Sequence, residues 1–328
     1  MALTRRLFTI AGLAALGPPA LARPVARPAL IIALNGRRGQ LPGPTREDLQ
    51  RAIAAGADFL ETPFVPTQDE ALVALTSDEL SGFTDVSGRS EFANRKASQK
   101  INGVSVTGWF VQDFTLAELR SLALGAPGAH PSGPPSSILS IEDVIDEARK
   151  GSVRTARVIG IYAGLSDPQR YANAGLSVEP RLADVIRSAG YDSPAAAIYV
   201  YASEPDALRQ MHRLCQVRLA LRLAASSPAG LTRSTGEADP DFADLRSYAQ
   251  AVAPDAGMLM GAHGPDLLGK MKSAGFAIHA WAPVESRGLR QEANVLNAIL
   301  ESGVDGIATD APKLAFRARR SDPAAPLR

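Results

Sequence analysis

The strongest constraint on how this chain can fold is an alternation. Short apolar runs of strand length recur along it, separated by longer stretches patterned as helices. The runs are Ala29–Leu34, Ala57–Pro63, Val158–Tyr162, Ala196–Tyr201, Val217–Leu223, Gly257–Met260, Phe276–Trp281 and Val304–Thr309. Continuous apolar runs rich in Val, Ile, Leu and Tyr suit parallel strands that are covered on both faces. Eight such strands alternating with helices predict an α/β fold, a TIM-type (β/α)8 barrel.

Local signals agree with this reading. Thr45-Arg46-Glu47-Asp48 reads as a capping box, and Asp113 to Leu119 and Ser140 to Val144 as two further helix starts. Ala55-Gly56 and Ser302-Gly303 read as helix ends that lead into strands two and eight. Leu72 to Leu75 follows strand two after a short turn, so a hairpin partner outside the barrel count is expected. Residues 82–113 lack clear periodicity and read as an insertion on a strand-to-helix connection, the face where barrels build their sites. Trp109 and Phe110 within it either wall a ligand or staple the insertion to the barrel, and the staple is favoured.

The first 22 residues read as an export signal rather than as fold. Thr4-Arg5-Arg6-Leu7-Phe8 precedes a short apolar stretch, and Ala20-Leu21-Ala22 resembles a cleavage site. The paired arginines predict twin-arginine export to the periplasm. The stretch is too short and too broken by Gly17, Pro18 and Pro19 for a spanning helix, so no stable membrane anchor is expected. Residues 23–328, about 300 residues, match the size at which one barrel fills a chain. A net charge of +1 gives no field directed at nucleic acid. Cys215 is the sole cysteine, which rules out an intrachain disulfide and suits a buried small apolar residue.

Several segments resemble the glycerophosphodiester phosphodiesterase family. In the insertion they are Thr84-Asp85-Val86, Glu91 to Lys96, Gly103 to Phe110 and Asp113 to Leu119. The likeness extends to Gly56 to Glu61, to His279-Ala280-Trp281 and to Gly303 to Asp310. Such enzymes cleave glycerophosphodiesters to glycerol-3-phosphate and an alcohol. The resemblance implies a His-Arg-Gly ending strand one, Glu-x-Asp on strand two, a second histidine beyond the hairpin, and Glu-x-Lys on strand three. Calcium or magnesium is held by the carboxylates, and the histidines serve as acid, base or nucleophile.

The reacting positions depart from that pattern. Leu34-Asn35-Gly36 stands for His-Arg-Gly, and Thr76-Ser77 for the second histidine and the aspartate after it. Gly43 stands for a glutamate near the metal, Pro63 for the aspartate, and Ala163-Gly164-Leu165 for Glu-x-Lys. Glu61 is kept, but calcium takes about 6 to 8 oxygen ligands, so Glu61 alone is an insufficient metal site and no cofactor is expected. Neither Leu34 nor Thr76 can move a proton near neutral pH, and losing one positioned acid or base costs about 10²- to 10⁴-fold.

Four residues remain as ligand-binding candidates. Arg37 and Arg38 follow strand one and either fork onto a phosphate or are solvated loop charges. Trp281 resembles the family's site-lining aromatic and shares a face with His279, and a core role for both fits as well. His263, after strand six, is either a relocated base or an ordinary loop histidine. Asp310 reads better as a turn or cap residue ahead of Pro312 than as a site group. The functional expectation is a pseudoenzyme or binding protein for an anionic small molecule such as a phosphate ester. The alternative is a metal-independent phosphodiesterase using Arg37 and Arg38. No protein partner is identified.

Overall fold

A computed structural model of the chain describes residues 28–34, 43–101, 103–125, 137–224, 241–284 and 289–321. The expected leader, with its paired arginines, lies outside the described residues. In chain order the strands are β1 (Leu30–Leu34), β2 (Phe59–Pro66), β3 (Leu72–Ala74), β4 (Ala97–Ile101), β5 (Val104–Gly108) and β6 (Gly160–Leu165). They continue with β7 (Ile198–Ala202), β8 (Arg218–Leu223), β9 (Ala251–Pro254), β10 (Ala277–Trp281) and β11 (Gly306–Thr309). The sheet runs β1-β11-β10-β9-β8-β7-β6-β2, and a parallel β1–β2 pairing closes it. The result is the expected eight-stranded parallel barrel, with β3 antiparallel to β2 as the hairpin partner.

Strand alternation sorts the apolar residues into two layers. Ile31, Leu60, Ile161, Val200 and Leu219 face outward into the large core beneath the helices. Ile32, Leu34, Phe59, Tyr162, Tyr199 and Trp281 face the barrel axis. The helix caps follow the sequence: Thr45 with Asp48, Thr115 with Glu118, and Ser140 with Asp143 each form a reciprocal capping box. Gly56 has φ +99°, as a helix end requires, and an added Cβ there would meet the Phe316 ring at 2.5 Å.

One strand expectation is corrected. Gly257 to Met260 is not a strand but part of the short helix Ala256–Met260, and the sixth barrel strand is β9. The inward seats of β9 are Ala251 and Ala253; Ala251 is in register with Ala220 on β8 and Ala277 on β10, and Ala253 with Arg222 on β8. Alanine seats lack the large apolar residues by which a strand is recognised, while the Met-Leu-Met run beyond β9 packs only Leu259 fully.

At the barrel floor Asp58 ties the seam. Its Oδ2 accepts the Ile31 N–H at 2.9 Å and pairs with Arg319, and its Oδ1 pairs with Arg157 at 3.2 Å. The insertion contains the hairpin β4–β5, which the sequence did not signal. Trp109 is buried in the main core cluster, and its Nε1 donates to the Phe92 carbonyl at 2.7 Å, a bond between two parts of the insertion. Arg95 reinforces this, lying 4.9 Å over the Phe114 ring and pairing with Glu118 at 2.7 Å. Cys215 is buried, its thiol donating to the Met211 carbonyl at 3.4 Å. Among the described residues no helix is long and apolar enough to cross a membrane.

Candidate functional site

The C-terminal ends of the barrel strands form the mouth where this fold places its sites. Side chains that point inward near that level come from Leu34 on β1, Glu61 and Pro63 on β2 and Tyr201 on β7, while the inward position of β6 at this level is Gly164, which has none. Arg222 on β8 and Trp281 on β10 complete the ring. Leu34 is 6% exposed and packs against the axial cluster, so an apolar side chain does occupy the seat at the end of β1. Thr76 lies exposed just beyond β3. Arg37 and Arg38 lie outside the described residues.

One alignment of motif to strand shifts by a residue. Ala163 and Leu165 face outward into the helix-covered core, so they cannot stand in for Glu-x-Lys. The inward residues of β6 are Tyr162 and Gly164. A Cβ added at Gly164 would lie 2.5 Å from Cζ of Tyr201, which means the tyrosine ring fills the space over this strand end. The Tyr201 hydroxyl donates a short hydrogen bond to Oε1 of Glu61. Burial, with the adjacent Glu61 charge adding to it, pushes the Tyr201 phenol well above its ordinary range, so it stays a neutral donor.

Across the mouth, Arg222 pairs with Asp255, donates to the carbonyls of Leu223 and Ala253 at 2.6 and 3.0 Å, and lies 4.5 Å over the Trp281 ring. The rings of Tyr201 and Trp281 are 5.3 Å apart. Trp281 and His263 both line a cavity of about 720 Å³ on this face. The structure therefore brings Trp281 and His263 to one opening, with His263 at the N-terminal boundary of the helix Gly264–Ser273.

His279 belongs to the axis rather than to the mouth. It is 1% exposed, with Nδ1 3.1 Å from the Tyr162 hydroxyl, and its ring meets Tyr199 edge-on at 5.0 Å. Nε2 has no hydrogen-bond partner among the described residues. Burial, aided by the Arg218 charge, depresses its pKa from 6.5 to about 3, so it is a neutral core group. Asp310 accepts the Val284 N–H at 2.9 Å, a long-range tie to the chain after β10 rather than the turn or cap ahead of Pro312 that the sequence suggests.

A divalent ion is implied by the resemblance, and the described donors do not fit one. Oε1 of Glu61 is engaged by Tyr201, Asp255 by Arg222 and Asp310 by a backbone amide. No three His, Cys, Asp or Glu side chains converge among the described residues. A hard cation needs several such oxygens.

Arg222, Asp255 and Tyr201 are site residues that sequence reasoning passed over. The signal was available in part. Arg218 and Arg222 lie four apart within an apolar strand run, so both point to one face, and a charge there must be paired or at a mouth. Asp255 carries no such signal, because it follows the small-residue strand β9 and stands at the start of the helix Ala256–Met260.

Comparison with known proteins agrees with this geometry. The chain is 32% identical over 171 residues to a glycerophosphodiester phosphodiesterase of Arabidopsis thaliana, covering 49% of this chain and 44% of that protein. It is 24% identical over 263 residues to the glycerophosphodiester phosphodiesterase of Haemophilus influenzae, covering 70% of each. This chain thus spans less than half of the Arabidopsis relative. A glycerophosphoryl diester phosphodiesterase from Parabacteroides distasonis superposes with a TM-score of 0.61 at 16% identity, covering 90% of this chain and 87% of that one. A phosphodiesterase from Oleispira antarctica, solved with its product sn-glycerol-3-phosphate, gives 0.59 at 15% identity, covering 88% and 96%. These likenesses show a shared fold. Residues 35–314 match the profile of the glycerophosphoryl diester phosphodiesterase family, and the chain belongs to that family.

Proposed function

We propose that this chain is a pseudoenzyme of its family: a binding protein for an anionic small molecule of the phosphate-ester class, without the metal- and histidine-dependent hydrolysis. Tyr201 carries this reading. Its ring fills the space over Gly164, and its hydroxyl holds the one retained carboxylate, Glu61. The end of β1 offers Leu34 and the rim offers Thr76, neither of which can shuttle a proton near neutral pH. His279 is neutral and buried among aromatic rings, so it does not replace them. Arg37 and Arg38, at the exit of β1, are the proposed phosphate ligands.

The test has two arms. Purified protein is incubated with glycerophosphocholine and excess calcium or magnesium, and release of glycerol-3-phosphate is followed. Metal-dependent turnover at ordinary enzyme rates of about 1 s⁻¹ or more would refute the pseudoenzyme reading. In parallel, phosphate esters should raise the melting temperature, and Arg37→Ala with Arg38→Ala should abolish that shift. Hydrolysis that survives chelation and vanishes in the same double variant would instead establish the metal-independent enzyme. The same chain is proposed to reach the periplasm through Arg5-Arg6. Arg5→Lys with Arg6→Lys should retain it in the cytoplasm, and unchanged export would exclude the twin-arginine route.

A further inference from the structure

We infer that the mouth opens sideways into a second compartment, an off-axis cleft that takes the hydrocarbon chain of a single-chain amphiphile. The cleft is the cavity of about 720 Å³ beside Trp281, within the roughly 300 to 1,000 Å³ of pockets that enclose drug-sized ligands. Its described lining is mostly apolar, with Arg222, Asp255 and His263 as the polar members. Ala256, Met258 and Leu267 come from the helices after β9, Ala282 and Pro283 from the chain after β10, and Val295 stands 39% exposed at the rim. Methionine is unbranched and polarisable, which suits a wall that adapts to a flexible chain.

The charges at the inner end are already engaged. Arg222 is paired with Asp255, bonded to two carbonyls and stacked on Trp281. A small anion seated alone at the mouth would leave most of this apolar lining in contact with water, whereas a chain would bury it. The cleft assignment stands on these residues alone. Only the anionic nature of the ligand's polar end rests on the function proposed above.

The experiment is calorimetric titration of the full chain with n-alkyl phosphates from butyl to decyl below their micelle concentrations, with octanol and glycerol 3-phosphate alongside. Affinity should rise roughly three- to fourfold per added methylene until the cleft is full. Gly257 lines the cleft, and an added Cβ there meets nothing within 4 Å. Gly257→Phe should therefore flatten the series with an unchanged melting temperature, while Gly257→Ala should preserve it. Val295→Trp at the rim should flatten it independently. Chain-length dependence that both bulky variants abolish supports the inference. Affinity that ignores chain length, or a length dependence that survives both variants, overturns it. Octanol binding as well as octyl phosphate would keep the cleft and refute the phosphate reading. Glycerol 3-phosphate binding with no chain-length effect would do the reverse.

Discussion

Lowering the pH should destabilise this barrel through one identifiable side chain. His279 is enclosed by Tyr162 and Tyr199, with Arg218 as the nearby charge, and its pKa falls from 6.5 in the unfolded chain to about 3 in the fold. Because the folded pKa is the lower one, the unfolded state binds the proton first. The stability present above pH 6.5 is therefore lost progressively as the pH falls toward 3. At pH 5 the unfolded imidazole is almost wholly protonated and the folded one is not, a ratio of about 30, or about 2 kcal/mol. This figure hardly depends on the folded value provided it lies below about 4, since the unfolded pKa sets it. The assay is equilibrium urea unfolding of the parent chain and of His279→Gln at pH 8 and pH 5. Glutamine fills similar space, can still meet the Tyr162 hydroxyl and does not titrate in this range. Carboxylates contribute equally to both proteins and cancel in the difference. The parent should lose about 2 kcal/mol more than the variant over this interval. Equal losses would refute the reasoning and mean that His279 is solvated or charged in the fold.

Gly164→Ala should cost about 1 to 3 kcal/mol by forcing the Tyr201 ring to move, measured as a shift of the urea midpoint; no change would mean the ring moves freely. Tyr201→Phe should cost about 1 to 3 kcal/mol, because Glu61 is buried and loses its phenolic donor; a neutral result would show that Glu61 is held adequately by other groups. Asp58→Ala should cost about 2 to 3 kcal/mol by removing the acceptor shared by Ile31, Arg157 and Arg319 at the seam. Its amide protons on β1 should exchange faster if the seam opens, and unchanged exchange there would disprove a seam role. Thr45→Ala should cost about 1 kcal/mol through the lost cap of helix Arg46–Ala54, and a denaturation midpoint equal to the parent's would show that the cap is replaced by solvent.

Much of the fold was legible along the chain because the barrel repeats one local unit. Seven of the eight strands announce themselves as apolar runs, and the capping boxes at Thr45 and Ser140 start helices where their side chains can reach the free amides. β9 escaped because it is short and its inward seats are the alanines Ala251 and Ala253, which carry none of the large apolar side chains by which a strand is recognised; only the partner of Ala253, Arg222 about 30 positions away, is bulky. The hairpin β4–β5 escaped because both of its faces are largely exposed, so no apolar alternation marks it.

The sequence by itself determined the family's barrel, and it carries the proposal that the family's proton carriers and most of its carboxylates are replaced, since residue identity alone decides which groups can titrate or ligate. Which seats face the axis was decided by the tertiary structure, because a shift of one residue turns a strand's side chains to the opposite face. That register put Ala163 into the outer core, brought Gly164 under Tyr201 and set Arg222 against Asp255. These pairings join residues more than 30 apart in the chain, so only closure of the sheet could bring them together.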